Sequence, residues 1–169
     1  MFNIKRNADL IIINVLSLIV SILLFTQTNK VEILAAVLAT GISLSLGIRQ
    51  RKAENDKLFK ELFTSLNQCY DENFNDELNQ LESDYKSNPN HILSIKEIKK
   101  LNDYLNLCAE EYLWYSKGRI PEAVWKSWEA GMLYYFHIPP INKFVKEQQG
   151  QKASYYGLFK ELEGKIKFN

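Results

Sequence analysis

The chain has 169 residues, with 21 basic and 20 acidic side chains, 46% hydrophobic residues and two cysteines. So balanced a charge argues against a broad electrostatic footprint for nucleic acid, because a phosphate backbone is held by an excess of Lys and Arg. Two cysteines are too few for a disulfide framework. The composition is also uneven: the first 50 residues read as membrane-like, and the remainder as a polar mixture rich in Tyr, Phe and Trp.

Two apolar runs, Leu10–Phe25 and Val31–Ile48, lie back to back, with Thr26-Gln-Thr-Asn-Lys30 between them. A helix rises about 1.5 Å per residue and a hydrocarbon core is about 30 Å thick, so spans at about 10–26 and 31–48 are slightly short and need flanking residues or local thinning. A buried core helix is the competing reading of one such run, but two in succession with only Glu32 charged favour a transmembrane hairpin. Lys5 and Arg6 precede the first run as they would in a secretory signal. Phe25-Thr-Gln-Thr, however, offers no small-x-small cleavage site, so an uncleaved anchor is expected. Lys5 and Arg6 before the first span and Arg49, Arg51 and Lys52 after the second put both termini in the cytoplasm by the positive-inside rule. Topology fixing by these residues is favoured over a dedicated clamp for anionic lipid.

The small and polar residues of the hairpin are ordered. Ala35, Ala39, Ser43 and Gly47 recur every fourth residue, a ridge of the kind that lets another helix backbone approach closely. Asn14, Ser17 and Ser21 form a polar stripe on the first span, and a polar stripe must face protein or water rather than lipid. Two arrangements satisfy this. The stripe packs against the ridge inside one hairpin, or ridge or stripe meets copies of itself in a homo-oligomer with Asn14, Ser17 and Ser21 near its axis. A single hairpin encloses no pore, so a channel would need several copies.

Residues 53–169 read as a cytoplasmic helical domain, in which acids outnumber bases. From Arg49 to about Tyr85 there is no Pro or Gly, and apolar residues recur every three or four positions, which predicts that the second span runs on as a stalk with a break at Asp71–Asp76. Ser87-Asn-Pro-Asn-His91 predicts a turn. Ser94 and Glu97 fit a capping box, with Leu93 and Ile98 placed for a hydrophobic staple. The helix they open has an expected core face of Ile98, Leu101, Leu105, Cys108, Tyr112 and Tyr115, ending at Gly118 as a C′ glycine. Pro121 at N1 opens a helix with Val124, Trp125, Trp128 and Met132 inward, packed antiparallel on its predecessor. A short helix at Ile141–Gln149 follows Pro139 and Pro140, and a last one is expected from Ser154 to about Ile166. The fold class is therefore all-α.

Chemistry is sparse. His91 and His137 are isolated, the cysteines lack metal-ligand spacing, and no Gly-rich phosphate loop or nucleophile motif occurs. No catalytic residue, cofactor or metal is expected. Glu110 and Glu111 point about 100° apart on a helix and are no facing acid–base pair; Glu111, partly buried against Arg119, reads as a structural carboxylate. Trp114, Trp125 and Trp128 are candidates for a partner-recognition surface, although core use is favoured.

Leu105-Asn-Leu-Cys-Ala-Glu-Glu-Tyr112, Gly118-Arg-Ile-Pro-Glu122, Trp125, Ile138-Pro-Pro-Ile141 and Tyr155-Tyr-Gly-Leu-Phe159 resemble small bacterial membrane proteins with a cytoplasmic all-helical domain. The similarity covers roughly residues 90–165 and its motifs are structural in type. The layout of two N-terminal spans and a helical domain also looks like the two-transmembrane effectors of anti-phage systems, including those encoded beside retron reverse transcriptases. That resemblance implies an abortive-infection toxin of the inner membrane. A reverse transcriptase carrying single-stranded DNA would hold it silent, and its release would permeabilise the bilayer through the spans, with no nucleic acid bound directly. A membrane-anchored scaffold that recruits a cytoplasmic protein is the alternative.

Overall fold

A computed structural model describes residues 7–151 and 154–168. It consists of helices joined by short turns, with no strand among the described residues: α1 (Ala8–Thr28), α2 (Val31–Asn73), α3 (Asn75–Ser87), α4 (Ile95–Ser116), α5 (Glu122–Phe136), α6 (Pro139–Gln148), a 3-10 turn at Tyr155–Gly157 and α7 (Leu158–Glu161). The chain divides into two compact units, Met1–Lys57 and Leu58–Asn169, so the division falls within α2, five residues beyond the boundary expected at 52/53.

In the first unit α1 is longer than its apolar run. Thr26 and Thr28 donate their hydroxyls to the carbonyls of Leu23 and Leu24 (2.8 and 2.7 Å), which carries the helix through residues expected to form the loop. Its 21 residues extend about 31 Å, enough to cross a hydrocarbon core without recruiting neighbours. Asn29 turns the chain in the left-handed region (φ 55°), where a short polar side chain is tolerated, and donates its N–H to Phe25 O at 2.8 Å. Both helices are long and apolar enough to cross a membrane, and their apolar side chains stand outward, with Ile12, Leu16, Leu23, Ile42 and Leu46 all more than half exposed. A helix apolar all round and unburied by its own chain suits a bilayer and not water.

In the second unit α2 ends at Asn73 and α3 begins at Asn75, with Phe74 between them (φ −129°, ψ −34°), inside the stretch where Asp and Asn predicted a break. Phe74 is buried and caps a core shared by Leu66 of α2, Leu78 and Leu81 of α3, Leu101 to Ala109 of α4, and Phe136 and Ile141 further on. The capping box forms as the sequence predicts: Ser94 N–H donates to Glu97 Oε2 (2.6 Å) and Glu97 N–H to Ser94 Oγ (3.3 Å). Ser94→Ala should cost about 0.5–2 kcal/mol and speed amide exchange in the first turn of α4; unchanged exchange there would show the cap to be idle. Gly118 ends the helix in the left-handed region (φ 67°), its N–H donating to Tyr115 O and that of Arg119 to Trp114 O, and a side chain at this φ would be strained.

Four details depart from the sequence reading. Ile98 is 38% exposed instead of core, while Tyr104, Leu107 and Ala109 are buried, because α4 is covered on several sides at once. Pro121 is the N-cap of α5 and not its first residue; its carbonyl accepts from Val124 and Trp125 N–H. The helix after the diprolines starts at Pro139 itself, with both prolines in the first turn where no N–H is needed. The expected last helix is interrupted: Tyr155 and Tyr156 hold positive φ (66° and 51°), α7 has four residues, and turns follow to Lys165. Leu158, Leu162 and Ile166 are nonetheless buried. Asn142 ties this segment down, being 1% exposed and donating Nδ2 to the carbonyls of Phe136 (2.9 Å) and Lys167 (3.0 Å).

Candidate functional site

Within the hairpin Ser17 and Ser21 of the polar stripe turn towards α2, and Asn14 reaches it while staying exposed. Asn14 Nδ2 donates to Leu10 O (2.7 Å) and across the hairpin to Ser45 Oγ (2.9 Å). Ser21 is fully buried and donates to Leu18 O at 2.8 Å. Ser17 lies against Gly41, so closely that a Cβ on residue 41 would stand 2.2 Å from Ser17 Oγ and 2.5 Å from its Cβ. No side chain fits there, and glycine is what lets the two backbones approach.

The partner of the stripe is therefore not the predicted ridge. Gly41 and Ser45 are buried, while Ala35, Ala39, Ser43 and Gly47 are exposed. Gly41 and Ser43 are two residues apart, about 200° around a helix, so a ridge in the register of Ser43 turns away from α1 once Gly41 faces it. A Cβ on Gly47 would meet nothing within 4 Å. Ala39, Thr40, Ser43, Leu44, Gly47, Ile48 and Arg51 line a shallow outward groove. Its hydroxyls are satisfied inside α2, Thr40 by Ala36 O (2.9 Å) and Ser43 by Ala39 O (2.8 Å), so the face carries no open polar demand. Of the basic residues, Lys52 pairs with Asp9 at 2.7 Å and ties the open end of the hairpin, Arg49 and Arg51 are exposed, and Lys5 and Arg6 lie outside the described residues.

In the second unit the tryptophans are mostly structural. Trp125 is 2% exposed, stacked on Tyr115 at 5.1 Å and against Tyr112 at 5.5 Å, which removes it from any partner surface. Trp128 is half-buried, with Nε1 donating to Asn67 Oδ1 (3.3 Å) and its ring stacked on Phe63 at 6.0 Å. Trp114 is half-buried beneath Lys117, whose Nζ is 5.2 Å from the ring, and its Nε1 has no partner among the described residues.

A group of buried titratable side chains on α4 is the main electrostatic feature of this unit. Glu111 is 6% exposed. Burial, with the neighbouring Glu110 charge, pushes its carboxyl up to about 8. Burial, then the field of Glu111, holds the Cys108 thiol well above its ordinary range, and Tyr104 is raised by burial, Cys108 and Glu111 in that order. Burial and Glu110 likewise raise Cys69 on α2. Thiols held protonated are poor nucleophiles. No cluster of three His, Cys, Asp or Glu suited to a metal occurs among the described residues. The chain matches no protein-family model, no curated protein and no solved structure.

Proposed function

We propose that this protein is an inner-membrane effector of a bacterial anti-phage system, of the retron-associated abortive-infection type that its layout resembles, with both termini in the cytoplasm. An inhibitory cytoplasmic partner, for which a reverse transcriptase carrying single-stranded DNA is the expected candidate, holds it silent. On release, hairpins from several copies assemble and permeabilise the bilayer.

The observation that supports this reading is the division of labour within the hairpin. Within one copy Asn14, itself still exposed, reaches Ser45 and Ser17 packs on Gly41, whereas the small ridge Ala35, Ala39, Ser43 and Gly47 stays outward, open for the helix of a second copy. In the test, Ala39→Leu with Gly47→Leu should abolish toxicity and leave insertion intact, since the outward leucines meet no atom of the hairpin at residue 47. Undiminished toxicity in a well-expressed double variant would overturn it.

A second reading, a membrane-anchored scaffold, draws support from Ile92 and Ile95, which are 87% and 88% exposed where the α3–α4 turn enters α4. It predicts that a foreign hairpin can replace residues 1–52 without loss of activity, whereas the effector reading predicts a dead chimera.

A further inference from the structure

The most exposed apolar side chains of the second unit lie at one spot. Ile92, in the turn after α3, and Ile95, the first residue of α4, are 87% and 88% exposed, and Ile98, one turn further on, is 38% exposed. Beside them the turn, α4 and α6 form a cleft of about 240 Å³, walled by Leu93, Ile98, Pro140 and Phe144, with Ile92 and Lys143 also lining it. Single apolar residues on a surface are ordinary, but exposed ones continuous with an apolar cleft mark a docking surface. The cleft is smaller than the roughly 300–1,000 Å³ of sites that enclose a small molecule, and it suits an anchoring side chain of a protein. Being concave, it would be left unfilled by a flat bilayer surface. The charge around it selects the kind of segment that fits. Glu97, the acid on the first turn of α4, is spent locally: its Oε1 lies 2.9 Å from His91 Nε2 and its Oε2 accepts from Ser94 N–H at 2.6 Å. Lys100 turns away to Asn73 O (3.0 Å), and Lys96 reaches Glu77 only at 3.8 Å. Lys99, one turn beyond Ile95 on the same face of α4, and Lys143 on α6 make no ion pair among the described residues. Against them stands Glu147, one turn beyond Lys143 and also lining the cleft. The surroundings of the cleft are thus basic, in a part of the chain where acids outnumber bases.

We propose that this cleft is the docking site of a cytoplasmic protein partner, which enters it with a segment of apolar anchors flanked by acidic side chains. One anchor fills the cleft, its neighbours cover Ile92 and Ile95, and carboxylates meet Lys99 and Lys143. The site gives the cytoplasmic partner of either reading above a place to bind. Its test reads binding and not toxicity, so the site and those readings stand or fall separately.

The test uses the full chain, one copy per nanodisc of zwitterionic lipid. The probe is a fluorescent amphipathic helical peptide with leucines on one face and glutamates on the other, beside a twin carrying lysines in place of the glutamates. By fluorescence anisotropy the acidic peptide should bind, and the basic twin about tenfold or more weaker. Ile95→Asp is an exposed change at the first position of α4, where an acid suits the helix N-terminus; it should weaken the acidic peptide by about tenfold or more with the fold intact. Lys99→Glu with Lys143→Glu should reverse the preference between the two peptides. An acidic peptide that binds no better than its twin, or that binds Ile95→Asp undiminished, would overturn the site. A dye on Asn90→Cys, in a chain with Cys69→Ser and with Cys108 fully buried, identifies other occupants. Its emission should shift to the blue when the acidic peptide is added. A blue shift without peptide, in anionic lipid or in discs loaded with two copies, would overturn the proposal in favour of the membrane or of a second copy.

Discussion

Gly41→Leu should open the hairpin at its middle. The first carbon of the new side chain would already stand 2.2 Å from Ser17 Oγ, and Ser17 cannot retreat, because it belongs to a helix whose neighbours Asn14 and Ser21 face the same side. Overpacking of this kind costs about 1–3 kcal/mol even where side chains can give way, and here it separates two backbones. Asn14 and Ser45, whose side chains touch at 2.9 Å, supply the readout. With Asn14→Cys and Ser45→Cys in place, mild oxidation should cross-link α1 to α2 in the parent chain, and adding Gly41→Leu should lower the yield about tenfold or more, 1.4 kcal/mol being a factor of ten. Gly47→Leu should leave it unchanged. Equal cross-linking in the Gly41 and Gly47 variants would mean that the two helices do not meet through this face.

Trp125→Ala should be the most damaging single truncation in the helical unit. The ring is 2% exposed and held between Tyr115 and Tyr112, so its removal leaves a cavity where α5 meets α4, at about 3–5 kcal/mol. Denaturant unfolding of the full chain in micelles, followed in the far ultraviolet, measures the loss. A change below about 1 kcal/mol, the range of surface substitutions, would restore Trp125 to a binding surface.

The architecture was largely legible because each element carries its own punctuation. The capping box at Ser94 and Glu97, the glycine at 118 and the Asp/Asn cluster around Phe74 are local signals, and local signals survive without knowledge of the fold. Positions decided by partners were not. Ile98 fits the helical period of the core face, yet it is left exposed while Leu107 and Ala109 are covered from other directions. In the C-terminal segment the spacing of Leu158, Leu162 and Ile166 reported burial correctly, but not the left-handed tyrosines that break the helix between Ser154 and Leu158.

The hairpin interface shows the same limit. A row of small residues tells that a helix can approach, and α2 has two such rows: Ala35 to Gly47, and Gly41 with Ser45. Choosing between them needs the depth of each residue from the turn. Asn14 and Ser45 are equidistant from Asn29 and Lys30, as Ser17 and Gly41 nearly are, so the pairing follows once Asn14 is required to find a polar partner at its own level. Of the two arrangements open in the sequence, the structure does not show the one in which the stripe packs on the longer row within one hairpin. Glu111 was placed correctly on a helix, but the depth of its burial depends on what packs over α4, which no local pattern announces.

If the proposed activity resides in the hairpin, it is read in the membrane potential of bacteria after induction of the full chain, beside a chain lacking residues 1–52, in the presence of the native neighbouring genes and during phage infection. Rapid depolarisation and dye entry with the full chain alone is the predicted result. Intact membranes with both chains while protection against phage persists would contradict it, and would leave the hairpin as an anchor.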